Sequence, residues 1–149
     1  MRCRLTREPI DTASLLAAAP ASSDGAVLLF LGVVRDFNEG RAVGHLEYDA
    51  YEPMAERLLG EIVGEAMERW DTGMISVTHR VGRLEIGETS VAIVVAAPHR
   101  GDAYSASRYV IDEIKKRVPI WKREGYVVGE SEWLPGNTPG AFAGTVGDE

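Results

Sequence analysis

Lys115 and Lys122 are the side chains whose type and spacing could carry chemistry, with His99 and Arg100 a helix length upstream. An ammonium group can stabilise developing negative charge, move a proton, or attack as a nucleophile once deprotonated. An imidazole and a guanidinium nearby would hold an oxyanion such as a phosphate. Between residues 99 and 123 seven Arg and Lys stand against three Asp and Glu, a net +4 inside a chain of net −7. Such a basic island concentrates a small anion without attracting nucleic acid in general.

The elements that must position these groups follow from periodicity. Ala103, Ala106, Val110, Ile111 and Ile114 recur at helical spacing. Asp112 precedes Lys116 by four residues and Glu113 precedes Arg117 by four, the acid-first order that pairs charges along a helix, so these two bases read as solvated. Lys115 follows Ile111 by four and falls at the boundary of the core. Pro119 ends the helix and biases Val118 towards extended backbone. In a strand from Pro119 to Glu124, Ile120, Lys122 and Glu124 share one face while Trp121 and Arg123 take the other. Lys122 then returns to the helix end that carries Lys115, and the two lysines are expected to converge beside His99 and Arg100. The alternative is a surface helix with ordinary charges.

Upstream, residues 1–7 alternate as a strand, and Asp11 is a good N-cap for a short helix reaching Ala19. The run AVLLFLGVV at 26–34 reads as a strand buried on both faces, with Arg35 at its exposed end placed to meet an anion. RDFNEGR at 35–41 reads as a loop. Residues 43–51 alternate, with Leu46, Tyr48 and Ala50 on one face and His45 solvated on the other. Pro53 fits the first position of a helix whose Met54, Leu58, Ile62, Val63, Ala66, Met67 and Trp70 face the core, both methionines packing. Strands are expected at 74–81 and 90–97, the second fully apolar and ending directly before His99 and Arg100.

Composition sets the limits. A chain of 149 residues with 45% hydrophobic and 26% charged side chains suits one globular domain. A pI near 5.0 argues against nucleic-acid binding. Cys3 is the single cysteine, which excludes an intramolecular disulfide and fits the reducing cytoplasm. Residues 1–23 contain Glu8, Pro9 and Asp11 before a short apolar run and read as part of the fold rather than a secretion signal. No run approaches the length of about 20 apolar residues that spans a membrane. Glycine-rich nucleotide loops, CxxC and HExxH are missing, and His45, His79 and His99 are too scattered for a metal site, so neither a metal nor a cofactor is expected. His79 reads as structural.

Five blocks, taken together, resemble a known family: GVVRDFNEG at 32–40, LEYDAYEPMA at 46–55, HRVGRLEIGE at 79–88, HR at 99–100 and KKRVPIWKRE at 115–124. They are similar, in the same order, to the large catalytic subunit of molybdopterin synthase, the MoaE family, over roughly residues 25 to 133. The KxxxPIWKxE pattern is the most specific of them. The resemblance implies an α+β fold, an α/β hammerhead with an additional antiparallel β subdomain. Residues 1–133 would form the single catalytic domain. Residues 134–149 would be a flexible C-terminal tail that a partner could order.

The resemblance also implies a reaction. Family members form a homodimer that binds a small ubiquitin-like sulfur carrier at each end, a heterotetramer. The carrier ends in Gly-Gly and delivers sulfur as a C-terminal thiocarboxylate. Two transfers convert cyclic pyranopterin monophosphate (precursor Z) to the dithiolene of molybdopterin. Lys115 and Lys122 match the catalytic lysines. The implied substrate-binding set is Val33, Val34, Arg35, His99, Arg100, Lys115, Lys122, Arg123 and Glu124, with Arg35, His99 and Arg100 on the phosphate. Tyr104 departs from the phenylalanine usual in the family, and the segment WLPGNTPG diverges from the usual ending. Two alternatives stand beside this reading: a non-catalytic anion-binding module of the same fold, and a scaffold that docks an acidic partner.

Overall fold

The computed structural model describes residues 2–127 and, as backbone, 132–134. Of the expected tail, residues 134–149, all but Leu134 lie outside the described residues. Two sheets and three helices share one core. The first sheet has the order β1 (Arg2–Thr6), β5 (Ile75–Arg80), β7 (Thr89–Ala97), β2 (Ala26–Val33). β1 runs parallel to β5, while β7 is antiparallel to both β5 and β2. The second sheet joins β3 (Phe37–Asn38), β4 (Arg41–Ala50), β8 (Ile120–Tyr126) and β9 (Glu132–Leu134), and β6 (Gly82–Glu85) pairs with β4.

β7 is the axis of the core, buried along almost its whole length. Its alternate residues serve two faces. Val91, Ile93, Val95 and Ala97 meet the helices α2 (Glu52–Arg69) and α3 (Arg100–Arg117), and Val94 and Ala96 meet the short helix α1 (Thr12–Ala18) on the other side. Asp11 caps α1 as expected, its Oδ1 accepting from the Ser14 amide at 3.1 Å.

Three expectations change. β2 is not buried on both faces. It is the edge strand, half-buried, with Val27 and Val33 exposed, because only β7 flanks it. An apolar run therefore marked a strand with one uncovered edge rather than an interior strand. The loop at 35–41 contains a hairpin, with Asn38 facing Arg41 across a two-residue turn. Glu39 and Gly40 both have positive φ (50° and 79°), the backbone of the turn that matches strand twist. In α2 the buried row is Ala55, Leu59, Ile62, Val63 and Ala66, and Met67 is exposed. The stripe is thus rotated from the expected one, centred on Leu59 and Ile62 and leaving Met67 outside it.

Candidate functional site

The C-terminal end of α3 and the strand that follows it build the site. Val118 caps the helix with extended backbone (φ −85°, ψ 127°), as the following proline requires. β8 then runs antiparallel to β4, pairing Ile120 with Ala50, Lys122 with Tyr48 and Glu124 with Leu46. Residues opposite each other share a face, so Ile120, Lys122 and Glu124 all turn inward with Tyr48 and Leu46. Lys122 is 3% exposed and Glu124 2%. Trp121 and Arg123 take the outer face, as the alternation predicted, and Arg123 Nη2 lies 2.7 Å from Glu47 Oε2.

A buried Lys and Glu require polar company. Asn38 Nδ2 donates to Glu124 Oε1 at 2.7 Å. The Tyr48 ring stands edge-on to His79 at 5.2 Å. His79 is itself buried, its Nδ1 2.7 Å from the Arg80 carbonyl oxygen, which is the structural role expected of it. Arg80 is 6% exposed, donates to the Arg7 carbonyl at 3.2 Å and pairs with Glu88 at 3.2 Å. The Glu85 amide, which donates to Glu88 at 2.8 Å, and Arg80 hold the Glu88 carboxyl below its usual range. Pattern reasoning missed Asn38 as a site partner and the Arg80 to Glu88 pair. Their partners lie across a sheet or a hairpin, where no periodicity points to them.

Lys115 lies half-buried in the last turn of α3, at the edge of the core as expected. Its neighbours follow the spacing only in part: Glu113 does meet Arg117, but Asp112 does not pair with Lys116. Lys116 pairs with Glu113 at 3.4 Å and Asp112 with Arg108 at 3.7 Å. Arg117 is not simply solvated, because both its terminal nitrogens grip Glu65 of α2, at 2.7 and 2.9 Å, and it also meets Glu113 at 3.2 Å. The hydrogen bonds from Arg117 and Tyr109 hold the Glu65 carboxyl down at about 2. The cluster clamps α3 to α2 just beyond Lys115. His45 is half-buried, its ring packed over Gly125 on the neighbouring strand, rather than solvated.

The substrate set implied by resemblance falls at two ends of the first sheet. β2 pairs Val33 with Thr89 and Ala26 with Ala97, so Arg35 lies beyond one end of β7 and His99 beyond the other. Eight residues of strand separate the ends, about 26 Å. From Arg100 to Lys115 along α3 the rise is about 22 Å. Arg35 and Lys115 therefore lie towards the end where β7 begins, and Glu124, bonded to Asn38, and Lys122, paired with Tyr48 beside His79, lie towards the same end. Within one chain, His99 and Arg100, both exposed, do not join them. Convergence of all these groups fails because an 18-residue helix separates its own termini. Val34 is 3% exposed, its amide donating to the Glu88 carbonyl at 3.0 Å and its carbonyl accepting from Gly87 at 2.9 Å. Its backbone and side chain are committed to packing, whereas Val33 and Arg35 are exposed.

Among the described residues no group of three or more His, Cys, Asp or Glu is placed to hold a metal, and no helix is long and apolar enough to cross a membrane. Cys3 is half-buried, and burial pushes its thiol pKa up, the opposite of an activated nucleophile. The balance at this end is cationic: Lys115, Lys122 and an exposed Arg35 stand against the one carboxylate of Glu124.

Comparison with known proteins shows the family. The family model described as MoaE protein matches residues 5–117. The molybdopterin synthase catalytic subunit of Bacillus subtilis is 42% identical over 133 residues, covering 89% of this chain and 84% of that one. Molybdopterin synthase catalytic subunit 1 of Mycobacterium tuberculosis is 41% identical over 132 residues, covering 89% of each. The crystal structure of molybdopterin synthase from Staphylococcus aureus superposes with a TM-score of 0.83 at 42% identity, covering 88% of this chain and 95% of that one. With a family model spanning most of the chain and relatives this similar over nearly their full length, the protein belongs to the MoaE family.

Proposed function

We propose that the protein is the catalytic subunit of a molybdopterin synthase, a sulfurtransferase of molybdenum cofactor biosynthesis. It moves two sulfurs from the thiocarboxylate terminus of a small carrier subunit to cyclic pyranopterin monophosphate. The observation that carries this reading is the placement of Lys115 and Lys122 at one end of the sheet, with Lys122 3% exposed on an inner face. A cation in such a place acts on a bound anion through little water, which strengthens it. Lys115 stabilises charge developing at the thiocarboxylate carbonyl or transfers a proton during sulfur attack. Lys122 orients the substrate and stabilises its phosphate as the ring opens. Because the sulfur comes from the carrier, the chain uses no cysteine of its own, and a lone half-buried Cys3 fits a cytoplasmic enzyme.

The separation of His99 and Arg100 from Lys115 makes the homodimer part of this reading. A twofold axis beside the exposed edge of β2 reverses the sheet of a second copy. The second copy's imidazole and guanidinium then face the Arg35 end of the first. That edge suits burial. β2 carries no charge and no proline, and it borders an apolar cleft of about 390 Å³ lined by Leu28, Phe30, Tyr104 and Ile111. One carrier subunit at each of the two sites completes a heterotetramer.

The test is reconstitution. Mixed with thiocarboxylated carrier and the cyclic pterin phosphate, the protein is expected to form dithiolene product. Lys115→Ala is expected to reduce the rate by about 10²-fold or more, the scale of losing one preorganised charge stabiliser. Product formation unchanged by Lys115→Ala overturns the catalytic assignment.

A further inference from the structure

We propose that Asn38 is a positioning residue that acts through Glu124, holding the hairpin that carries Arg35 in register with the strand that carries Lys122. The inference rests on the reading of Arg35 and Lys122 as the anion-holding groups given above. Asn38 and Glu124 are 86 positions apart in sequence, yet the amide donates to the carboxylate at 2.7 Å. Glu124 is 2% exposed, and a carboxylate so buried is held in place by whatever donates to it. Asn38 sits at the corner of the two-residue turn, three residues after Arg35. Glu124 lies two residues after Lys122 on the same inward face. Each end of this one hydrogen bond is therefore within three residues of a proposed phosphate contact.

Among the described residues the hairpin has little apolar packing to fix it. β3 is two residues long, and its Phe37 is 56% exposed. A second polar tie reinforces the same junction: the Arg41 guanidinium lies over the Tyr126 ring, 3.4 Å from its centre. Both ties run from the hairpin to β8. An asparagine suits the position because it donates without bringing charge. An aspartate there would set two carboxylates against each other.

The experiment measures steady-state kinetics for the cyclic pterin phosphate, with thiocarboxylated carrier, for Asn38→Ala, Asn38→Ser, Glu124→Met and the Asn38→Ala/Glu124→Met double variant. Asn38→Ala is expected to raise KM for the pterin phosphate about tenfold, the scale of one hydrogen bond to a charged group, with carrier affinity unchanged. The double variant is expected to be no worse than Glu124→Met alone, because methionine keeps the length of the side chain but offers no oxygen to Asn38, so both single changes remove the same contact. Asn38→Ser, whose hydroxyl is too short to reach, serves the same purpose should Asn38→Ala fail to fold. A fall in kcat that tracks a lowered melting midpoint, with KM unmoved, overturns the inference, as does a multiplicative effect in the double variant. Lys122→Ala separates the two levels of the reading. If it leaves product formation intact, the site assignment itself fails. If it abolishes product while the Asn38 variants match wild type, only the positioning role fails.

Discussion

A site assembled from two copies predicts complementation between two defective proteins. Along α3 the rise from Arg100 to Lys115 is about 22 Å, several times the reach of either side chain. His99 precedes that helix as its N-cap. If each site takes Lys115 from one copy and His99 from the other, Lys115→Ala and His99→Ala dimers are each defective at both sites. In a dimer holding one copy of each variant, one site collects both substitutions and the other collects neither. Random reassortment makes half the dimers mixed, each with one intact site, so activity returns to about a quarter of wild type. The assay is product formation after the two variants are co-expressed or exchanged, compared with each alone. Mixed dimers, verified by a tag on one variant, that are no more active than either parent would refute a shared site. They would leave His99 and Arg100 without a part in this chemistry.

Two further outcomes concern stability. The Glu65 carboxyl, held at about 2 against its usual 4.5 by Arg117 and Tyr109, binds a proton less readily when folded than when unfolded. Its stabilising contribution is thus complete above about pH 4.5 and is lost as pH falls towards 2. The melting midpoint should fall through that window, and Glu65→Gln should flatten the fall; because Glu65 is about one-third exposed, added salt should weaken the effect. Equal pH profiles for the two proteins would refute the assignment. Gly125→Ala would drive a Cβ into the His45 ring, and chemical denaturation is expected to show a loss of about 1–3 kcal/mol. His45→Ala in the same chain should recover most of it, and a fully stable Gly125→Ala would show that the ring yields freely.

Much of the site's local structure was legible in the residues. Pro119 stops α3 and sets Val118 extended, and strand alternation then sends Ile120, Lys122 and Glu124 inward together. These are contests decided within a few residues by backbone sterics and pleat, so the sequence contains them. The apolar face of α2 was legible only to within a rotation, since neighbouring rows at 3.6 spacing compete and tertiary packing buried the one with Ala55.

What only the tertiary structure decided is which distant groups meet. The AVLLFLGV run gave hydrophobicity but not its neighbours, and strand order made it an edge. The pairing of Arg117 with Glu65 and of Asn38 with Glu124 follows from helix packing and strand register, which no local pattern encodes. The same holds for His99 and Arg100. Sequence proximity to α3 suggested that they join Lys115, but a helix converts 15 positions into about 22 Å of separation. Chain connectivity thus fixed each group's local setting, and the rigid length of α3 fixed which groups one copy can bring together.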